Sequence, residues 1–231
     1  MLLWALAASL LQVSPDPVHL PADAPRATLT LRNQGHRTAH VVATTWSWWQ
    51  SASGETRLDP SAELAVSPAE LYLPPGATRT LEIEVTGPAS EVERAFRLEL
   101  EEEPLQAFGR ARAEPQHLSV PVFVAPDKAA ARVDLSGLSV EDGHAKFTLL
   151  NSGTGHLQIS QLRVLLLGPR GQRLSLRKLP EWTLLARGQV SYDVPVNGRA
   201  CQKASSVEVE LRAKDGDLRR SVPVTRDACG D

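Results

Sequence analysis

The sequence predicts an all-β chain built as two successive β-sandwich domains. Three observations carry this. Short segments alternate apolar and polar residues, the strand period. Pro, Gly, Asn and Asp punctuate them, and no stretch keeps helical spacing for three turns. A small-residue and polar stretch, "DKAAAR" (127–132), separates two such series.

The chain opens on "MLLWALAASLLQ", an apolar run too short to cross a bilayer, which takes roughly 20 residues. It fits the apolar part of a secretory signal, with Ala5, Leu6 and Ala7 as an A-x-A site. That reading makes 1–10 a leader, cleaved near Ala7. The basic residues that usually precede such a run are missing, so a first strand or a late start site is the other reading.

The first strand series follows: "ATLTLRNQG" (27–35), "AHVVATTWSWWQ" (39–50), "LAVSPAELYL" (64–73), "TRTLEIEVTG" (78–87) and "RAFRLELEEEP" (94–104). "NQGHRT" (33–38) and "LPPGAT" (73–78) are turns by their Asn-x-Gly and Pro-Gly chemistry. "PASEVERAF" (88–96) has room for one helical turn. The series ends on "HLSVPVFVAP" (117–126), where Leu118, Val120, Val122 and Val124 alternate in one phase. Pro121 has no N–H for a ladder, which assigns this segment to a sheet edge.

The second series holds "RVDLSGLSVEDG" (132–143), "HAKFTLLNSG" (144–153), "LQISQLRVLLLGPRG" (157–171), "EWTLLARGQVSYDVPV" (181–196), "SSVEVELRAKDG" (205–216) and "DLRRSVPVTR" (217–226), with "GPRGQ" as a hairpin turn. Domains at 11–126 and 127–231 each match the usual immunoglobulin-like size of about 100 residues.

Composition narrows function. The net charge of −2 and the absence of a basic run argue against nucleic-acid binding and against steering to anionic membranes. Cys201 and Cys229 both lie near the C-terminal end. In an exported protein two cysteines most often pair, pinning the tail to the strand region around Cys201; two free buried thiols are the alternative. No nucleophile elbow, phosphate loop or zinc-protease motif occurs, so an enzyme is not expected and no cofactor is implied. The six histidines are scattered, and the His36–His40 spacing lies on a turn and a strand, which would not hold a metal as a helix would. Glu101, Glu102 and Glu103 read as a solvated strand end. Trp46 and Trp48 share one strand face and Trp49 takes the other. They suit a carbohydrate or protein platform, or, more simply, packing of the sandwich.

The first domain resembles the periplasmic pilus-assembly chaperones of the chaperone–usher pathway, in particular their archaic branch. The matching stretches are "LQVSPDPVHL" (11–20), "LTLRNQG" (29–35), the W-x-Q, V-S-P and L-x-P-G pattern across 41–85, "ERAFRLELEEEP" (93–104) and "HLSVPVFVAP". The second domain matches more loosely, through "FTLLNSGTGHLQI" (147–159) and "WTLLARG" (182–188). The resemblance implies a boomerang of two immunoglobulin-like domains located in the periplasm. It implies two partners, fimbrial or surface-fibre subunits and an outer-membrane usher, with neither nucleic acid nor membrane insertion. Such chaperones lend an edge strand to a subunit that lacks one. Backbone hydrogen bonds supply affinity and side-chain pockets supply register. The donor residues are then Leu118, Val120 and Val122, with Leu105 and Phe108 available before them.

Three departures bear on that reading. Relatives hold the subunit's terminal carboxylate with basic residues at two places occupied here by Pro17 and Pro121. Arg97 is the nearest basic residue in a matched motif, and a guanidinium suits a carboxylate; pairing with Glu99 or Glu101 is its plainer role. Arg112, Glu114 and Gln116 stand in phase upstream of Leu118, where a strong donor would carry apolar residues. Ala125 replaces the arginine that relatives pair with the acidic position held here by Glu93, so a differently stabilised domain joint is expected. The alternative to a chaperone is a two-domain structural component of a surface fibre or coat.

Overall fold

The computed structural model describes residues 10–51, 55–103, 115–214 and 216–230. The expected leader, apart from Leu10, lies outside the described residues, as do Leu105, Phe108, Arg112 and Glu114. The chain divides into two compact units. One takes residues up to Trp48 together with Leu58–Asp127, and the other takes Trp49–Arg57 with Lys128–Asp231.

Ten strands precede residue 126: β1 (Leu11–Ser14), β2 (Val18–Pro21), β3 (Arg26–Asn33), β4 (Ala39–Gln50), β5 (Thr56–Pro60), β6 (Leu64–Ser67), β7 (Glu70–Leu73), β8 (Thr78–Val85), β9 (Arg94–Glu103) and β10 (His117–Ala125). One sheet has the order β1-β3-β8-β6; the facing sheet runs β2-β10-β9-β4-β5, with β7 also on β4. Alternation decides the interior. Leu29, Leu31, Leu81 and Ile83 from the first sheet meet Phe96, Leu98, Leu100, Val120 and Val122 from the second, all essentially without exposure. Each such side chain contributes about 1.5–3 kcal/mol through burial. Residues 88–93 form bends and no helical turn.

The second unit holds β11 (Val133–Glu141), β12 (His144–Asn151), β13 (Leu157–Leu167), β14 (Arg173–Leu179), β15 (Trp182–Leu184), β16 (Gln189–Pro195), a short helix α1 (Gly198–Cys201), β17 (Ser206–Ala213) and β18 (Gly216–Pro223), and ends on a 3-10 helix, Arg226–Cys229. Its sheets run β11-β12-β16 and β14-β13-β17-β18, with β15 on β13. Phe147 and Leu149 pack against Ile159, Leu162, Val164, Val207 and Val209. Asp142 and Gly143, at φ 49° and 75°, make the two-residue hairpin between β11 and β12, where both central residues must be left-handed.

Further details differ from expectation. The segment 64–73 is two strands, β6 and β7, in different sheets. The segment 181–196 is two strands, because Arg187 turns left-handed at φ 59° and Gly188 N donates back to Leu185 O (3.0 Å). The strands β5 and β14 arise where no strand was expected. Cys201 sits on a helical turn capped by Asn197, whose Oδ1 accepts from Ala200 N (2.9 Å), rather than on a strand. Cys201 and Cys229 form a disulfide with Cα atoms 5.6 Å apart, both buried in this core. Also in this unit, the buried Gln50 donates to Thr183 O and accepts from Leu185 N, both at 2.9 Å.

Both units end a central strand on the same device. Asn33 closes β3 and Asn151 closes β12, each followed two residues later by glycine. Asn33 Oδ1 accepts from Gly35 N (2.8 Å) and its amide donates to Arg37 O and Leu73 O. Asn151 Oδ1 accepts from Gly153 N and Arg132 N (both 3.0 Å) and its amide donates to Gly155 O and Leu185 O. A β-carbon on Gly153 would meet Ala130 O at 2.2 Å, so the corner admits no side chain there.

Candidate functional site: the β10 edge and the outer face of its sheet

The strand β10 is interior along one half and an edge along the other. Strand β9 flanks it from His117 to Val124, while the parallel β2 pairs only with Val122–Ala125. Residues 117–121 therefore have a strand on one side only among the described residues. The direction of their backbone groups follows from one bond. Glu102 N donates to Gln116 O at 2.8 Å, in register with the β9–β10 ladder. Gln116 thus faces β9, and by the antiparallel alternation so do Leu118, Val120 and Val122. His117, Ser119 and Pro121 turn their backbone groups to the open side. The N–H that proline lacks would have pointed away from β9, so the ladder loses nothing at Pro121.

Side chains alternate in the other sense. Val120 and Val122 are fully buried in the domain's own core, and Leu118 is half-buried against it. The expectation that these three side chains fill a partner's groove is therefore corrected for Val120 and Val122, which cannot leave the core without opening it. What the strand exposes is its backbone edge and the residues of its outer face.

That outer face is ordered by register. Ser119 lies opposite Glu99, which lies opposite Thr44; Pro121 lies opposite Arg97, which lies opposite Trp46. Arg97 is half-buried, its guanidinium carbon 3.9 Å from the centre of the Trp48 ring. Its Nη1 is 3.4 Å from Ser119 Oγ, a long donor contact. Burial lowers the Arg97 pKa, and the charges of Glu99 and then Asp16 oppose this. Ser119 donates to Glu99 Oε1 (2.7 Å), and His117 Nε2 sits 2.7 Å from Glu99 Oε2, a charge-pair distance that lacks hydrogen-bond alignment. Glu99 is only 7% exposed although it lies on the outer face. Trp48 is tilted against Phe123 at 6.0 Å, and Phe123 stacks on His19 at 5.5 Å.

This places the expected residues. Arg97 forms no close pair with Glu99 or Glu101; it starts from the position beside Pro121 and lies over Trp48. Trp46 and Trp48 are on the outer face, where Trp46 Nε1 donates to Thr44 Oγ1 (3.2 Å), and the adjacent core-facing positions belong to Thr45 and Ser47. Packing of Trp48 is thus by Arg97 and Phe123, not by the inter-sheet core. Trp49 carries Arg57 over its ring at 4.9 Å. His40 stacks on Tyr72 (4.4 Å) between Glu70 (2.8 Å) and Glu103 (3.3 Å). Sequence reasoning missed His117 and Ser119, and named Glu99 only as a partner for Arg97. Their shared register with Arg97 is the only signal that unites them, and it exists once the strands are paired. The arrangement offers two things side by side: an unpaired strand edge and a partly desolvated cation at its root.

By architecture the chain is a two-domain β-sandwich protein with one strand edge open among the described residues. Residues 10–130 match the model of the pili and flagellar-assembly chaperones, PapD N-terminal domain, and the chain belongs to that family. Comparison with curated sequences finds no match. Among solved structures, the fold is similar to the chaperone in the CsuC–CsuE pre-assembly complex of archaic Csu pili from Acinetobacter baumannii, at TM-score 0.62 and 14% identity, covering 92% of this chain and 98% of that one. It is also similar to the Salmonella enterica SafA pilin–SafB chaperone complex (0.61, 12%, 94% and 99%) and to the Pseudomonas aeruginosa CupB2 chaperone (0.56, 14%, 92% and 100%). No helix among the described residues is long and apolar enough to cross a membrane.

Proposed function

We propose that this chain is a periplasmic chaperone, exported by its N-terminal segment, that caps fimbrial or surface-fibre subunits and delivers them to an outer-membrane usher. The observation that supports it is the one-sided β10 edge at 117–121. There Ser119 presents both backbone groups outward, so an incoming subunit strand gains ladder bonds at no cost to the β9 pairing. Val120 and Val122 hold that edge rigid from inside, and Leu118 is the one of the three donor residues left with exposed surface. Arg97 receives the subunit's terminal carboxylate in place of the cations that Pro17 and Pro121 cannot supply. The work is binding and release, with no bond made or broken.

The test is co-expression with a fibre subunit and isolation of the complex from the periplasm. Ser119→Pro removes an outward N–H and should abolish the expected one-to-one complex. Ser119→Ala, which loses only the side chain, should keep it. A folded Ser119→Pro protein that still carries its subunit would show that the edge is not the site.

A further inference from the structure

We propose that the second unit holds a separate peptide site: a groove between β14 and β16 that binds an extended acidic segment of a partner protein as a strand added to β14. The sandwich is closed on one flank and open on the other. On the closed flank β11 packs on β18, and Arg220 Nη2 lies 3.6 Å from Asp134. On the opposite flank β14 and β16 are the edges of their sheets, and a groove of about 290 Å³ lies there. Its walls include Val164, Leu166, Ser175, Arg177, Pro195 and Val196. Val164 lies opposite Arg177 and Leu166 opposite Ser175, so a cation and a hydroxyl share the inner face with two core residues.

Two observations select the occupant. The first is which edge is open to pairing. Val196 N donates to Gly143 O and Asn151 N to Gly188 O, both at 2.9 Å. Even-numbered residues of β16 therefore face β12, and Pro195 turns its N-less side outward at the groove. A strand arriving there meets a blocked β16 and an available β14. The second is charge. The strand β14 carries Arg173, Arg177 and Lys178 and no carboxylate. Elsewhere in this unit the salt bridges of Arg163, Arg212, Arg219 and Arg220 use Glu210, Asp217, Glu208 and Asp134, and among the described residues none reaches the β14 cations. An uncompensated basic edge over an apolar floor fits a chain whose inward side chains, at every second residue, are in turn a carboxylate for Arg177 and an apolar group for Val164, Leu166 and Val196, the residues between them facing outward.

The test uses the full-length folded protein and three acetylated octapeptides in which every second residue is Ser and the others are in turn Glu and Val, Lys and Val, or Glu and Ser, called the Glu-Val, Lys-Val and Glu-Ser peptides. Binding is read by fluorescence anisotropy and by amide hydrogen exchange. The Glu-Val peptide should bind and slow exchange across 173–179, and the other two should bind far more weakly. Arg177→Ala should weaken the Glu-Val peptide about tenfold, the loss expected for one charge-assisted contact. Arg177 and Lys178 are exposed, so Lys178→Glu is a second change that spares the core and should act in the same direction. Arg97→Ala should leave this binding unaltered, which separates the groove from the β10 edge. Equal binding of the Lys-Val peptide, or no slowing at 173–179, would overturn the proposal. So would sedimentation showing a dimer that Arg177→Ala dissolves, because the groove would then belong to a second copy.

Discussion

At the scale of single residues, position in the ladder matters more than residue type. Arg97 looks like one of many surface arginines until its register puts it beside Pro121 and over Trp48. Its stacking fixes the guanidinium plane, and half-burial weakens water's competition for a carboxylate. Arg97→Ala is expected to weaken a chaperone–subunit complex by about 1.5–3 kcal/mol, roughly 10- to 100-fold, measured by calorimetric titration. Arg97→Lys should recover little, because a lysine keeps the charge but loses the planar fork and the ring contact. Asn151 makes a different kind of claim. It has no exposed surface and satisfies backbone groups on three segments. Asn151→Ala leaves those groups unpaired and should lower the stability of the second unit by about 3 kcal/mol in chemical denaturation.

At the scale of elements, β10 shows what a strand pattern reveals and what it hides. Alternation identified the strand, and Pro121 identified it as an edge. Neither shows which face points inward, since a one-residue change of register exchanges the faces. The pairing with Leu98 and Phe96 decides it, and commits Val120 and Val122 to the core. Changing Leu118, Val120 and Val122 together to Ser is therefore expected to unfold the first unit, visible as lost near-ultraviolet dichroism, whereas Ser119→Pro should leave that signal intact. The two strands that escaped the pattern have a common cause. In β5, "TRLDP", and β14, "RLSLRKL", no residue is fully buried on either face, so little contrast marks the period. They are strands because long neighbours, β4 and β13, offer them backbone partners. The Glu99–Ser119–His117 cluster was illegible for the same reason: it is assembled across two strands far apart in sequence. The cysteine pair, by contrast, was legible from number and compartment alone.

At the scale of the whole molecule, each unit owns its core, and the second alone has a covalent tie. The disulfide closes a span of 28 residues between α1 and the final 3-10 helix. In the chain-entropy account that restricts the unfolded chain by about 3–4 kcal/mol. Cys201→Ser with Cys229→Ser should thus lower the calorimetric transition of the second unit and leave the first unit's unfolding in place. Alkaline pH probes the same unit by another route. Tyr192 stacks on Phe147 at 4.8 Å, and burial pushes its hydroxyl pKa from the ordinary 10.0 up to about 12. The folded state therefore holds the phenol proton more tightly than the unfolded chain does. Its contribution to stability is complete below pH 10, falls as pH rises through the interval from 10 to 12, and is gone above it. Urea unfolding followed across this range should show stability falling with pH beyond 10. Tyr192→Phe keeps the ring and removes the proton, so that part of the slope should disappear while stability at pH 7 changes little. An unchanged slope in the variant would place the alkaline sensitivity elsewhere and leave the Tyr192–Phe147 stack as packing alone.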